Sequence, residues 1–264
     1  AGGSRGVRPL AGTALRALHG IAAQTEADAA RLERLGARDV LVTGNLKFDV
    51  TPPTDWEQRA RGLRRNFAGK FVFLAASTRE GEESLLLDGF ARLGVADALL
   101  VLVPRHPQRF EEVARLVEAR GWPWARRSTG IPPRSDARVF LGDSMGELAA
   151  YYGAADLAYV GGSLVPLGGQ NLIEAAAAGC PALIGPHTWN FADAAEQAVA
   201  AGCALRVESV EDLITAVRAL HGDESRRQAM AEAGRRFASA NRGATEKVLA
   251  LVEASLPKPR GKRS

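Results

Sequence analysis

The sequence predicts an α/β protein built on a doubly wound, Rossmann-like parallel sheet, preceded by the end of a truncated upstream domain. Three observations lead there. Short β-branched or aliphatic runs alternate with amphipathic helical stretches across Gly, Pro or Ser turns, the signature of βαβ units. The runs are apolar throughout instead of alternating, as strands covered on both faces must be. Pro52 and Pro53 interrupt the alternation and read as a linker between Asp49 and the next helix.

Taken in order, the segment before the prolines offers strands at 20–24 and 40–43 around a helix at about 25–35. After them come strands at 71–75, 99–103, 139–141, 157–160, 182–184 and 205–207. Helices fit between them at about 55–67, 80–93, 107–120, 145–152, 170–178, 190–201 and 210–220. Two more, at about 223–239 and 243–254, close the chain. Thr54-Asp55-Trp56-Glu57 and Ser144-Met145-Gly146-Glu147 both have the spacing of a capping box, in which hydroxyl and carboxylate satisfy orphan amides reciprocally. The expected organisation is an upstream remnant over 1–48, a nucleotide-binding Rossmann-like domain over 49–255, and a basic disordered tail over 256–264.

With 264 residues, 46% of them hydrophobic and 24% charged, the chain is long and apolar enough to bury a core, which excludes a disordered segment. The net charge of +4 comes from Lys258, Arg260, Lys262 and Arg263, without which the remainder is formally neutral. The excess is therefore a tail and not the basic face of a nucleic-acid reader. Two cysteines and four histidines, with no CxxC or HExxH spacing, exclude a disulfide framework and give no metal signature. No apolar run approaches the roughly 20 residues that span a bilayer. The N-terminal stretch does not resemble a signal peptide and lacks an initiator Met, so a truncated or processed chain is expected.

Chemistry-bearing residues gather at strand ends. Gly161-Gly162-Ser163 and Gly168-Gly169-Gln170-Asn171-Leu172-Ile173-Glu174 follow the 157–160 strand and open an alanine-rich helix. Glycines let a ligand approach the backbone, a helix start offers amides to an anion, and Glu174 is spaced to accept ribose hydroxyls. A plain glycine turn with a surface glutamate is the competing explanation. Pro104 and Arg105 end the 99–103 strand, where ligands gather in open α/β sheets and an arginine meets a phosphate. Met145, Gly146 and Glu147 follow the 139–141 strand. In Thr43-Gly44-Asn45-Leu46-Lys47-Phe48-Asp49, Lys47 is a candidate to neutralise a departing phosphate. In Ser77-Thr78-Arg79-Glu80-Gly81-Glu82-Glu83, capping explains the hydroxyls and the acids better than ligand contact. No Asp-x-Asp occurs to bridge a metal diphosphate, and no GxxxxGK[ST] to cradle one.

Six segments in order, VTGNLKFD, STREGEES, LVPRHPQRF, GDSMGELAAYYGAADLAYVGGSL, GGQNLIEAAAAGCP and GPHTWNF, resemble the 3-deoxy-D-manno-oct-2-ulosonic acid (Kdo) transferases of lipopolysaccharide synthesis. The resemblance runs over about 4–255 and implies the donor half of a GT-B glycosyltransferase. CMP-Kdo would be the donor, a lipid A precursor the acceptor, and no metal or other cofactor is implied. It places CMP contacts on Pro104, Arg105, Met145, Gly146, Glu147, Asn171, Leu172, Ile173 and Glu174, and a transition-state stabiliser on Lys47. Ser163, Gly169 and Gln170 are further candidates. Family members usually carry His where this chain has Gln170, which retains hydrogen bonding without charge.

The implied reaction is inverting displacement at the anomeric carbon by a base-activated acceptor hydroxyl. The family's catalytic glutamate and acceptor-side domain would precede residue 1, making 1–48 that domain's remnant and the chain alone a binder of CMP with little or no transfer activity. A peripheral position on the cytoplasmic face of the bacterial inner membrane follows, aided by the basic tail and without nucleic acid as a partner. Two other readings stand beside this one: a GT-B glycosyltransferase or epimerase with a uridine donor, and a nucleotide-binding module without chemistry.

Overall fold

The computed structural model describes residues 7–49, 51–67 and 69–256. Two compact units are formed, one from Ala1–Val50 with Ala240–Ser264, the other from Thr51–Ser239.

In the smaller unit, helix α1 (Val7–Arg16) leads to strand β1 (Ile21–Ala23), helix α2 (Glu26–Arg34) and strand β2 (Val40–Val42). The two strands pair in parallel with Ile21 opposite Val40. Thr25 caps α2, its hydroxyl accepting the Asp28 amide at 3.0 Å. A C-terminal helix, Ala244–Ser255, belongs to this unit too. The sequence assigned it to the domain ending at 255. Two contacts explain the difference. Gly243, at the start of that helix, has no capping side chain, and Asp49 supplies one, accepting the amides of Gly243 at 2.7 Å and Thr245 at 2.5 Å. Leu251 lies so close over Gly20 that a Cβ there would stand 2.7 Å from its Cδ1. The basic residues of the tail lie outside the described residues.

The larger unit carries strands β3 (Phe71–Thr78), β4 (Ala98–Pro104), β5 (Trp124–Arg126), β6 (Val139–Leu141), β7 (Leu157–Val160), β8 (Ala182–Ile184) and β9 (Ala204–Arg206). They form one sheet in the order β5-β6-β4-β3-β7-β8-β9, with every pairing parallel. Parallel pairing puts all carboxyl ends on one edge. The chain builds outward from β3 on one side and then returns to β7 on the other, so the switch point falls between β3 and β7. The connecting helices are α3 (Trp56–Asn66), α4 (Glu82–Ala91), α5 (Phe110–Glu118), α6 (Leu148–Ala154), α7 (Ile173–Ala178), α8 (Ala192–Ala200), α9 (Val210–His221) and α10 (Glu224–Ala240).

Alternate strand residues separate the two faces. Phe73, Leu100, Val139, Leu157 and Tyr159 pack with Leu86 and Phe90 of α4, Val117 of α5 and Leu213 and Val217 of α9. On the other face α3 packs against α6, and Phe67 meets Phe140 edge-on at 5.0 Å. β5 and α1 are additional to the elements expected from sequence. β5 is three half-buried residues directly after Pro123 on the sheet's edge, too short and too polar to read as a core strand.

Neither expected capping box forms. Asp55 occupies the N-cap of α3 without a side-chain cap bond, and its carboxylate takes Arg59 one turn on at 2.7 Å. Glu147 is itself the N-cap residue of α6, and Arg127 draws its carboxylate away.

Candidate functional site

A pocket of about 320 Å³ opens at the carboxyl edge of the sheet, built from the ends of β3, β4 and β6, the turn after β7 and Phe191 beyond β8. Of the residues expected from sequence, Pro104, Arg105, Met145, Gly146, Gln170, Asn171 and Glu174 line it together. That convergence follows from the all-parallel sheet, which brings loops far apart in sequence to one edge.

The Arg105 amide donates to Thr78 O at 3.0 Å, fixing the backbone where β4 leaves the sheet, while its side chain is exposed and makes no ion pair among the described residues. Glu174 stands across the pocket. Burial pushes its carboxyl above the ordinary glutamate range, opposed by a hydrogen bond from Asn171 and by the charge of Arg105. Asn171 performs two tasks: its Nδ2 donates to Glu174 Oε1 at 3.2 Å and its Oδ1 accepts the Ile173 amide at 3.1 Å, tying the turn to the start of α7. Leu172 and Ile173 have their side chains in the core, so they anchor α7 and present no side chain to a ligand. Met145 is exposed and Gly146 takes φ +76°, which shapes the pocket wall after β6.

Glu147 is placed differently from the expectation. Its buried carboxylate is held by the Arg127 guanidinium at 2.8 and 2.9 Å, with Arg59 3.6 Å away, and is not part of the pocket lining. The Arg127 hydrogen bonds, followed by one from Ser144, hold it below the ordinary range despite burial. Ser163 is likewise structural: fully buried, its hydroxyl donates to Val160 O at 2.5 Å and accepts the Gly185 amide at 2.8 Å. Gly169 closes the turn on itself, donating its amide to Gly162 O at 2.7 Å, while Gln170 N donates to Gly161 O at 3.0 Å. Lys47 belongs to the smaller unit, exposed in the 3-10 turn Leu46–Asp49.

Sequence reasoning missed Glu82. This fully buried carboxylate accepts the amides of Gly162 at 2.7 Å, Ser163 at 3.1 Å and Arg79 at 2.9 Å, and the Tyr159 hydroxyl. The amides of Gly162 and Ser163 in the glycine loop are thus occupied by a side chain. Gly161 is glycine for a steric reason as well, since a Cβ there would stand 2.4 Å from Ser77 O. The neighbouring Glu83 accepts the Thr78 hydroxyl at 2.8 Å and the Arg109 guanidinium at 2.5 Å. The signal was present as two consecutive acids after a strand, but helix-start preference explained them equally well. Among the described residues, no three His, Cys, Asp or Glu side chains gather to hold a metal.

The 3-Deoxy-D-manno-octulosonic-acid transferase (kdotransferase) family matches residues 1–50. The chain is 46% identical over 246 residues to the 3-deoxy-D-manno-octulosonic acid transferase of Bordetella pertussis, covering 91% of this chain and 57% of that protein. It is 37% identical over 239 residues to the Haemophilus influenzae transferase of the same name, covering 88% of this chain and 56% of that protein. It therefore spans about half the length of the curated relatives it matches. Among solved structures, the C-terminal CMP-Kdo binding domain of WaaA from Acinetobacter baumannii superposes with a TM-score of 0.67 at 26% identity, over 70% of this chain and 98% of that one. Anabaena Alr3699/HepE in complex with UDP and glucose, at 18% identity and a TM-score of 0.55 over 94% of this chain and 67% of that one, shares the fold. The chain is thus a relative of the 3-deoxy-D-manno-octulosonic acid transferases, and its larger unit has the fold of the C-terminal domain of GT-B glycosyltransferases.

Proposed function

We propose that this chain binds CMP-Kdo and forms the donor-binding part of a glycosyltransferase that passes Kdo to a lipid A precursor. One observation carries the reading: an arginine without an ion pair among the described residues and a half-buried, ribose-competent carboxylate line one pocket at the strand ends. Similarity to a CMP-Kdo binding domain supports the choice of donor.

The reaction is a displacement with inversion. An acceptor hydroxyl attacks the anomeric carbon of Kdo, the bond from that carbon to the CMP phosphate oxygen breaks, and CMP leaves with the electron pair. Arg105 faces the phosphate and stabilises the charge that builds on it, while Glu174, held by Asn171, accepts the ribose hydroxyls. Lys47 is assigned to the leaving phosphate by the family resemblance. No general base is assigned to these residues, and the charge on the leaving group is met by side chains without a metal or other cofactor.

The proposed setting is the cytoplasmic face of the bacterial inner membrane. Among the described residues no helix is long and apolar enough to cross a membrane. Lys258, Arg260, Lys262 and Arg263 would each add roughly 1 kcal/mol of attraction near anionic head groups.

Calorimetric titration with CMP and UMP tests the donor assignment. CMP is expected to bind more tightly, and Arg105→Ala to weaken CMP by roughly tenfold or more, since hydrogen bonds to charged groups contribute about 1.5–3 kcal/mol. Equal affinity for UMP would move the reading to a uridine donor.

A further inference from the structure

The β3 strand ends in an irregularity that donor binding through Arg105 and Glu174 leaves unused. Register with β4 runs through Ala76 opposite Val103 and resumes at Thr78 opposite Pro104, leaving Ser77 bulged from the ladder. Ser77 has φ +55°, a conformation costly for a residue with a side chain and concentrated at functional sites. The bulge turns it into the pocket wall, where at 7% exposure its hydroxyl has no hydrogen-bond partner among the described residues. Two residues on, Arg79 lies with its stem over Gly162. A Cβ at Gly162 would stand 3.4 Å from Arg79 Cγ and 3.3 Å from Gln170 Nε2, so both side chains cover the same Cα. The Gln170 carboxamide lines the pocket and also makes no hydrogen bond among the described residues.

Charge pairing separates Arg79 from its neighbours. Along the same edge, Arg109, Arg126, Arg127 and Arg206 are each tied to a carboxylate. Among the described residues, Arg79 and Arg105 have no carboxylate within ion-pair distance, although Glu80, Glu82 and Glu83 lie within four positions after Arg79. Two uncommitted guanidiniums thus belong to strand ends that bound the pocket, and the proposed donor carries two anionic groups, a phosphodiester and the carboxylate of its ulosonic acid.

We propose that Arg79, Gln170 and Ser77 form a second anion subsite, which receives the carboxylate of the donor sugar while Arg105 faces the phosphate. This assignment rests on the donor reading above. It makes the pocket selective for acidic sugars: a neutral sugar would leave Arg79 without a counter-charge. It also gives Gln170 a task that needs a donor but no charge, because the charge is supplied by Arg79.

The test measures CMP and CMP-Kdo affinities calorimetrically for the full chain and for Arg79→Gln, Gln170→Ala and Arg105→Gln. Taking the ratio of the two affinities within each protein cancels differences in folded fraction. The wild type is expected to prefer CMP-Kdo. Arg79→Gln should shrink that preference by roughly tenfold or more, Gln170→Ala should shrink it less, and Arg105→Gln should weaken both ligands together. CMP binding by the wild type combined with an unchanged ratio in Arg79→Gln would overturn the subsite alone. Failure of the wild type to bind CMP would overturn the donor reading and the subsite with it.

Discussion

The carboxylate of Glu82 accepts the backbone amide of Gly162 at 2.7 Å. Through this contact the start of α4 grips the turn after β7, across the switch point of the sheet. Glu82 gathers three more amides and a phenol, so its buried oxygens are satisfied by the protein itself. The turn at 161–163 is therefore clamped by a side chain, and its amides are not a phosphate cradle.

Glu82→Ala should destabilise the chain by on the order of 3 kcal/mol or more, because several buried donors lose their acceptor at once. Glu82→Gln, which keeps one acceptor oxygen, should cost less. Urea unfolding measures both, and a loss under about 1 kcal/mol for Glu82→Ala would show that the clamp contributes only an ordinary hydrogen bond.

CMP affinity should depend on the ionisation of Glu174. Burial raises its carboxyl above the ordinary 4.5, and the ionised form accepts the ribose hydroxyls. Affinity is then full above that raised value and falls as the pH drops through it. The CMP phosphate titrates too, so the informative quantity is the affinity ratio of wild type to Glu174→Gln. This ratio should shrink on acidification, and a constant ratio from neutral pH to pH 4.5 would remove Glu174 from the ribose contact.

The Arg127–Glu147 pair gives a second pH signature, in stability. Hydrogen bonds from Arg127 hold the Glu147 carboxyl below its ordinary 4.5. A depressed carboxyl stabilises the fold above its unfolded value and loses that contribution as pH falls through the folded one. Arg127→Gln should therefore be clearly less stable than wild type at pH 7, with the gap closing below pH 4. A gap independent of pH would mean that Arg127 acts by packing alone.

Asp49→Ala should lower stability by about 1 kcal/mol, the usual loss when a capping acceptor is removed. Its two acceptor bonds hold the start of the 244–255 helix, so hydrogen exchange should accelerate most at Gly243 and Thr245. Uniform acceleration across the chain would place the effect elsewhere.

The larger unit was readable from sequence because its strands are buried on both faces and so appear as unbroken apolar runs, Phe71–Thr78 being the clearest. That Pro104, Arg105, Asn171 and Glu174 line one pocket follows from the meeting of strand ends at one edge of a parallel sheet. What escaped was set by contacts distant in sequence. Glu82 and Gly162 are 80 residues apart, Asp49 and Gly243 are 194 apart, and local spacing carries no trace of either bond. The same limit accounts for Glu147 and Ser163: each has the right residue type in the right loop, yet Arg127 and the Gly185 amide draw their polar atoms away from the pocket.

A crystal structure of this chain with CMP would show where the nucleotide sits. The phosphate is expected against the Arg105 guanidinium and the ribose hydroxyls on the Glu174 carboxylate, with Glu82 still holding the amides of Gly162 and Ser163. Phosphate bound to those amides with Glu82 displaced, or CMP seated away from Arg105 and Glu174, would contradict this placement.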